Sequence, residues 1–246
     1  MRLHFITASR SPIKRAVTFG LLSLMFVLLA GCQTTTGLKP QTAPASLQPP
    51  PLVTQGKVHY AVRPDLSEVH FLVYRAGPLA SFGHNHVIRA THIQGDIYLG
   101  TDLQHSDFTL TLPVKDFQVD EPQARAVEGP DFATQPSTQA VLGTYQNMLG
   151  PGELNAAAYP NISIRSVRFV GPDWGPDVIV RIELHGVARE MTLPIALEHA
   201  GDCLIATGIF QIRQTDFGIR PFSILGGGLQ VADIVKVRFH LVAEKP

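Results

Sequence analysis

The chain has 246 residues, 45% of them hydrophobic, with 20 basic and 20 acidic side chains. Its N-terminal leader holds four basic residues and no acidic one, so the remainder carries 16 against 20, a net −4. A mildly acidic chain without basic clusters excludes nucleic acid as a partner. Two cysteines, one of them in the leader region, exclude a disulfide framework.

Residues 1–31 read as a lipoprotein signal peptide. Arg2, Arg10, Lys14 and Arg15 precede an apolar run, Ala16 to Ala30, that is short for a membrane span. The run ends in Leu29-Ala30-Gly31-Cys32, which resembles the bacterial lipobox. In that reading Cys32 receives acyl chains such as palmitate and becomes the new N-terminus. The alternative is an ordinary signal peptide, or a membrane anchor, with a chance cysteine. Several acyl chains would anchor the protein stably, at about 0.8 kcal/mol per buried methylene. Gln33, where an aspartate would retain the protein at the inner membrane, points to the inner leaflet of the outer membrane, facing the periplasm. Residues 32–51 are rich in threonine, glutamine and proline and form a tether. Residues 52–246 are long enough for one domain with a core.

Within that domain the dominant period is two. Val69, Phe71 and Val73 alternate with His70, Leu72 and Tyr74, and Phe108, Leu110, Leu112 and Val114 alternate in the same way. Between Asp120 and Pro160 the alternation stops, and EPQARAVEGPDF and STQAVLGTYQNML look helical or irregular. Val141, Leu142, Tyr145, Met148 and Leu149 form a helical stripe that Gly150-Pro151 terminates. This insertion either closes one mouth of a barrel or packs on its outside. Asp120, Glu121 and Asp131 read as caps or solvated charges rather than an acid–base pair.

Alternation resumes at Ile162, with a phase slip near Arg165-Ser166 that suggests a bulge. It continues through Val178, Val180, Ile182 and Leu184, turns at Gly186, and runs on through Met191, Leu193, Ile195 and Leu197. Cys203 opens an apolar run and reads as buried and inert. Ser223 lies near Gly226-Gly227-Gly228 but in no GxSxG elbow, and no Lys-Ser/Thr pair marks a phosphate loop. The last strand sets Val235, Val237, Phe239 and Leu241 against Lys236, Arg238 and His240. Strict alternation over many short segments predicts an all-β fold, a closed antiparallel barrel or a sandwich. No feature points to an enzyme.

Several segments, in this order and spacing, resemble the YceI-like family of periplasmic proteins. They are SEVHFLVYRAG, IQGDIYL, AAAYPNISIRSVRF, ELHGVAREMTLPI and DFGIRPFSILGGGLQVADIVKVRFHL, from Ser67 to Leu241. The resemblance implies a lipocalin-like antiparallel β-barrel with a short helical or irregular insertion, binding an isoprenoid lipid of quinone or polyprenyl type. Burial of a tail at about 25 cal/mol per Å² would favour such a guest without a hydrogen bond. The inward positions Phe71, Val73, Ile97, Leu110, Leu112, Ile164, Ile182, Leu193 and Phe239 would line the tunnel; alternatively they pack on one another and fill a small barrel.

The chain departs from the family's common pattern at Gly83-His84-Asn85-His86, where His84, His86 and the nearby His92 concentrate three imidazoles. Three readings stand. The histidines and Asn85 bond the backbone of a turn between the second and third strand regions, or they hold a ligand's polar head. In the third reading His84 and His86 bind metal or haem, with His92 or Asp96 completing a metal set. The absence of HExxH, CxxC and CxxCH motifs gives the last no further support. Oligomeric state is open.

Overall fold

The computed structural model describes residues 51–172 and 174–246; the leader, Cys32 and the tether up to Pro50 lie outside the described residues. In chain order come β1 (Val58–Val62), β2 (Glu68–Ala76), β3 (His86–Ala90), β4 (Gln94–Leu99), β5 (Asp107–Pro113) and β6 (Gln118–Val119). The helices α1 (Pro122–Ala126) and α2 (Thr138–Leu149) follow. Then come β7 (Asn161–Val170), β8 (Asp177–Leu184), β9 (Val187–Pro194), β10 (Ala196–Ala200), β11 (Cys203–Arg213), β12 (Ser223–Ile224) and β13 (Leu229–Glu244).

The ladders are antiparallel and join both consecutive and distant strands. β1 and β2 lie end to end along β13, and β4 and β3 pair with β1 and β2 respectively. β5 and β6 continue on β4 and β3, then β7, β8 and β9 follow in turn. On the other side, β11 pairs with β13 along its whole length and carries β10. Among the described residues this makes eight staves, each strand or strand pair antiparallel to its neighbours, the expected lipocalin-like barrel.

Closure is incomplete. β9 runs through Ile195 into β10, so chain continuity completes the ring at one end. No ladder joins β9 to the Gly208–Arg213 half of β11, which leaves a seam in the wall. Gly208 permits the close approach there, because a Cβ would stand 2.6 Å from the Phe239 ring and 2.8 Å from the Pro194 carbonyl oxygen. Elsewhere the joints are tight. His185 and Gly186, at φ of 54° and 72°, make the two-residue hairpin between β8 and β9. The bulge in β7 falls between Ser166 and Arg168, one residue beyond its expected place.

The insertion does both things its sequence allows. Its first half packs outside, where Ala124 and Phe132 cover Leu72 and Val87 of β2 and β3 in a separate apolar cluster. Its second half, α2, lies over one end of the barrel. Ser137 caps it by accepting from the Ala140 amide, and the Tyr145 hydroxyl donates to the Lys115 carbonyl. Val141, Tyr145, Met148 and Leu149 face the main core, but Leu142 is 54% exposed and does not belong to the stripe.

Candidate functional site

Side chains alternating inward from the staves enclose a chamber of about 1250 Å³, including the space at its openings. Its walls are aliphatic and aromatic except for Ser106, which is already satisfied: its hydroxyl donates to the Asp102 carbonyl and accepts from the Gly100 amide. Phe71, Ile97, Leu110, Leu112, Ile164, Ile182, Leu193 and Phe239 all border this chamber. These inward residues pack against one another in the main core and leave part of the space between them open. Ionisable groups are absent from this wall because outward positions of the same strands take them, as Lys236, Arg238 and His240 do on β13.

A second chamber of about 930 Å³ lies under α2 and shares Phe71, Ile162, Leu184 and Ile212 with the first. Val73 lines this one. Its wall differs in chemistry, for His86, Thr144, Asn147, Glu153 and Gln214 bring polar groups to an otherwise apolar space. Burial raises the Glu153 carboxyl above its ordinary pKa, which favours the protonated acid able to donate a hydrogen bond.

His86 is held by a buried network. Its Nδ1 lies 2.6 Å from Asp120 Oδ2, while Asp120 Oδ1 accepts from the Val87 amide at 2.9 Å and from the Arg125 guanidinium. Arg125 also donates to the Asn85 carbonyl at 2.8 Å and is 1% exposed. Burial opposes the Asp120 charge, yet His86, the Val87 amide and Arg125 outweigh it and hold that carboxyl below the usual range. Asp120 is therefore a buried anion at 4% exposure, not the cap or solvated charge expected of it. It reaches this place because β6 pairs with β3 and a left-handed backbone at φ 54° turns the chain directly after.

His84 stands beside this network, its ring 4.6 Å from that of His86. Burial first, and the His86 charge second, depress its pKa and favour neutral imidazole. Turn bonding falls instead to Asn85, which accepts from the Arg75 amide at 3.0 Å and donates to the Asp131 carbonyl at 2.9 Å.

His92 does not join the other two. It is 66% exposed in its side chain and stands 3.6 Å from Asp116 on the outer surface. Asp96 pairs with His59 at 2.7 Å and is likewise remote in role. Cys203 is partly exposed rather than buried. Arg238, on the outward face of the last strand, bonds Glu128, which also takes His70 at 2.5 Å. Sequence reasoning missed Asp120 and Arg125 as partners of the histidines, and it missed the polar wall under α2.

The profile of the YceI-like domain matches residues 60–243. No curated protein matches the chain. Among solved structures, BcnA of Burkholderia cenocepacia superposes with a TM-score of 0.53 at 16% identity, over 74% of this chain and 98% of its own. A polyisoprenoid binding domain from Saccharophagus degradans, implicated in plant cell wall breakdown, gives 0.53 at 14% identity, over 77% of this chain and 99% of its own. At such identities these structures share the fold, while the profile match spans most of the chain: this protein belongs to the YceI-like domain family.

Proposed function

We propose that this protein is a lipid-anchored binding protein, not an enzyme, that holds an isoprenoid lipid of quinone or polyprenyl type. The observation that carries the reading is the pairing of two adjoining chambers: an apolar one and, sharing four lining residues with it, one that adds polar groups. The tail occupies the barrel and the head lies under α2, within reach of His86, Asn147, Glu153 or Gln214. Each 100 Å² of tail removed from water contributes about 2.5 kcal/mol. The polyisoprenoid-binding relative supports the ligand class. Anchoring through Cys32, on the periplasmic face of the outer membrane, rests on the sequence of the leader. Haem is disfavoured in the main chamber, where no histidine, cysteine or methionine stands to serve as an axial ligand.

Native mass spectrometry of the full-length protein, released from detergent micelles with an added short-chain quinone, tests the proposal. A single discrete adduct is expected, lost in Leu193→Trp, which fills the chamber, and kept in Ile209→Trp, which points outward. An adduct of equal intensity in both variants, or none in the wild type, would overturn it.

A further inference from the structure

We propose that His84, His86 and Asp120 form a binding site for a divalent first-row transition ion of the Zn²⁺ or Cu²⁺ type. The ion takes the place of the proton between His86 Nδ1 and Asp120 Oδ2 and accepts His84 Nε2 as its third protein ligand. This inference does not need a lipid in the barrel, although His86 also lines the chamber proposed for the lipid head.

Three donor atoms from these residues lie within 4.8 Å of one another. An ion with metal–ligand bonds of about 2.0–2.2 Å requires donors about 3.3–3.5 Å apart, so modest side-chain rotations complete the set. The backbone already converges on it, because β6 brings Asp120 beside the start of β3.

His84 supplies the independent sign of a ligand. Its Nε2 is buried and has no hydrogen-bond partner among the described residues. A buried ring nitrogen left without a partner is unfavourable, and no hydrogen bond of His84 offsets it, since Asn85 makes the turn's bonds. A metal bond satisfies that atom directly.

The surroundings also orient the anion. The Val87 amide and Arg125 hold Asp120 Oδ1, which leaves Oδ2 directed at the histidines. Two neutral imidazoles and one carboxylate suit zinc or copper, whereas magnesium and calcium need more oxygen ligands than this site provides. The Arg125 charge beside the carboxylate further disfavours hard cations, which depend on accumulated negative charge. Ligation uses neutral His86 protonated at Nε2; if the ring is charged beforehand, one proton leaves to solvent. Three protein ligands leave a fourth tetrahedral position for water.

The test uses the full-length protein, stripped with a chelator and titrated calorimetrically with Zn²⁺, Cu²⁺ and Mg²⁺ in a non-coordinating buffer. Cobalt substitution gives a second, spectroscopic readout through its visible ligand-field bands. Wild type and His92→Ala are expected to bind one equivalent of Zn²⁺ and to ignore Mg²⁺. His84→Ala breaks no hydrogen bond and keeps the fold, and it is expected to weaken Zn²⁺ binding by more than about 100-fold. Asp120→Asn should abolish the tetrahedral cobalt spectrum, with circular dichroism checking that it folds. Stoichiometric Zn²⁺ binding that survives His84→Ala unchanged, or no binding by the wild type, overturns the proposal.

Discussion

The two faces of β2 are both buried, but by different physics. Inward, Val69 and Phe71 meet the apolar chamber, whose lining is almost wholly hydrophobic, and Val73 meets the mixed chamber under α2. Outward, His70 at 1% exposure and Leu72 at 3% lie beneath the insertion, where burial depends on particular partners. Phe132 supplies area there, while Glu128 binds His70 and Arg238 together and Arg125 neutralises Asp120. Apolar burial is non-directional and tolerates substitution; a buried charge requires its partner in place. The interior thus sets capacity, and the outer layer sets the position of the insertion and of the histidine-bearing turn.

The largest test of this contrast is Arg125→Met. It leaves Asp120 as an anion without its buried cation and should cost about 3–5 kcal/mol in chemical denaturation. A loss below about 1 kcal/mol would mean that the charged layer is dispensable. Next, Phe132→Ala in the outer layer should cost about 3 kcal/mol, against about 2 or less for Leu193→Ala, whose side chain already borders open volume. Equal losses in urea titrations would erase the distinction between the layers.

Acidification should separate the groups by their titration. Burial keeps His84 neutral, so the unfolded chain takes its proton more readily and stability falls as pH drops below about 6.5. Asp120 and Glu128 are held below their ordinary values, so their contribution is complete above about 5 and disappears as pH falls through their folded-state values. Thermal melts across pH 8 to 3 should show both declines, and His84→Ala should remove only the first. The smallest effect belongs to Ile209→Thr on the exposed outer face of β11, within about 0.5 kcal/mol.

The chamber walls were legible because a strand's period of two survives in the residues themselves: all nine inward positions border a chamber. The insertion's helix was legible from its stripe and its Gly-Pro stop, although Leu142 shares that spacing and faces solvent. The histidine site was legible only in part. His84 and His86 stand two apart and declare themselves, but Asp120 lies 34 residues beyond His86 and joins it through a two-residue strand. No local pattern marks that pairing, so the nearer His92 and Asp96 looked equally eligible. Arg125, five residues past Asp120 on a short helix, reads locally as an exposed cation. Its burial follows from the docking of the whole insertion, a tertiary event.

The unladdered seam between β9 and the second half of β11 bears on how the barrel breathes. Backbone amides directed into it have no strand partner, so they should exchange with deuterium far sooner than those of β13, which is paired on both sides. Widening a fully laddered ring would sacrifice hydrogen bonds worth about 1 kcal/mol each. A wall already parted along one line changes its girth without that loss. The barrel behaves as a split sleeve, with compliance concentrated along this seam and rigidity elsewhere.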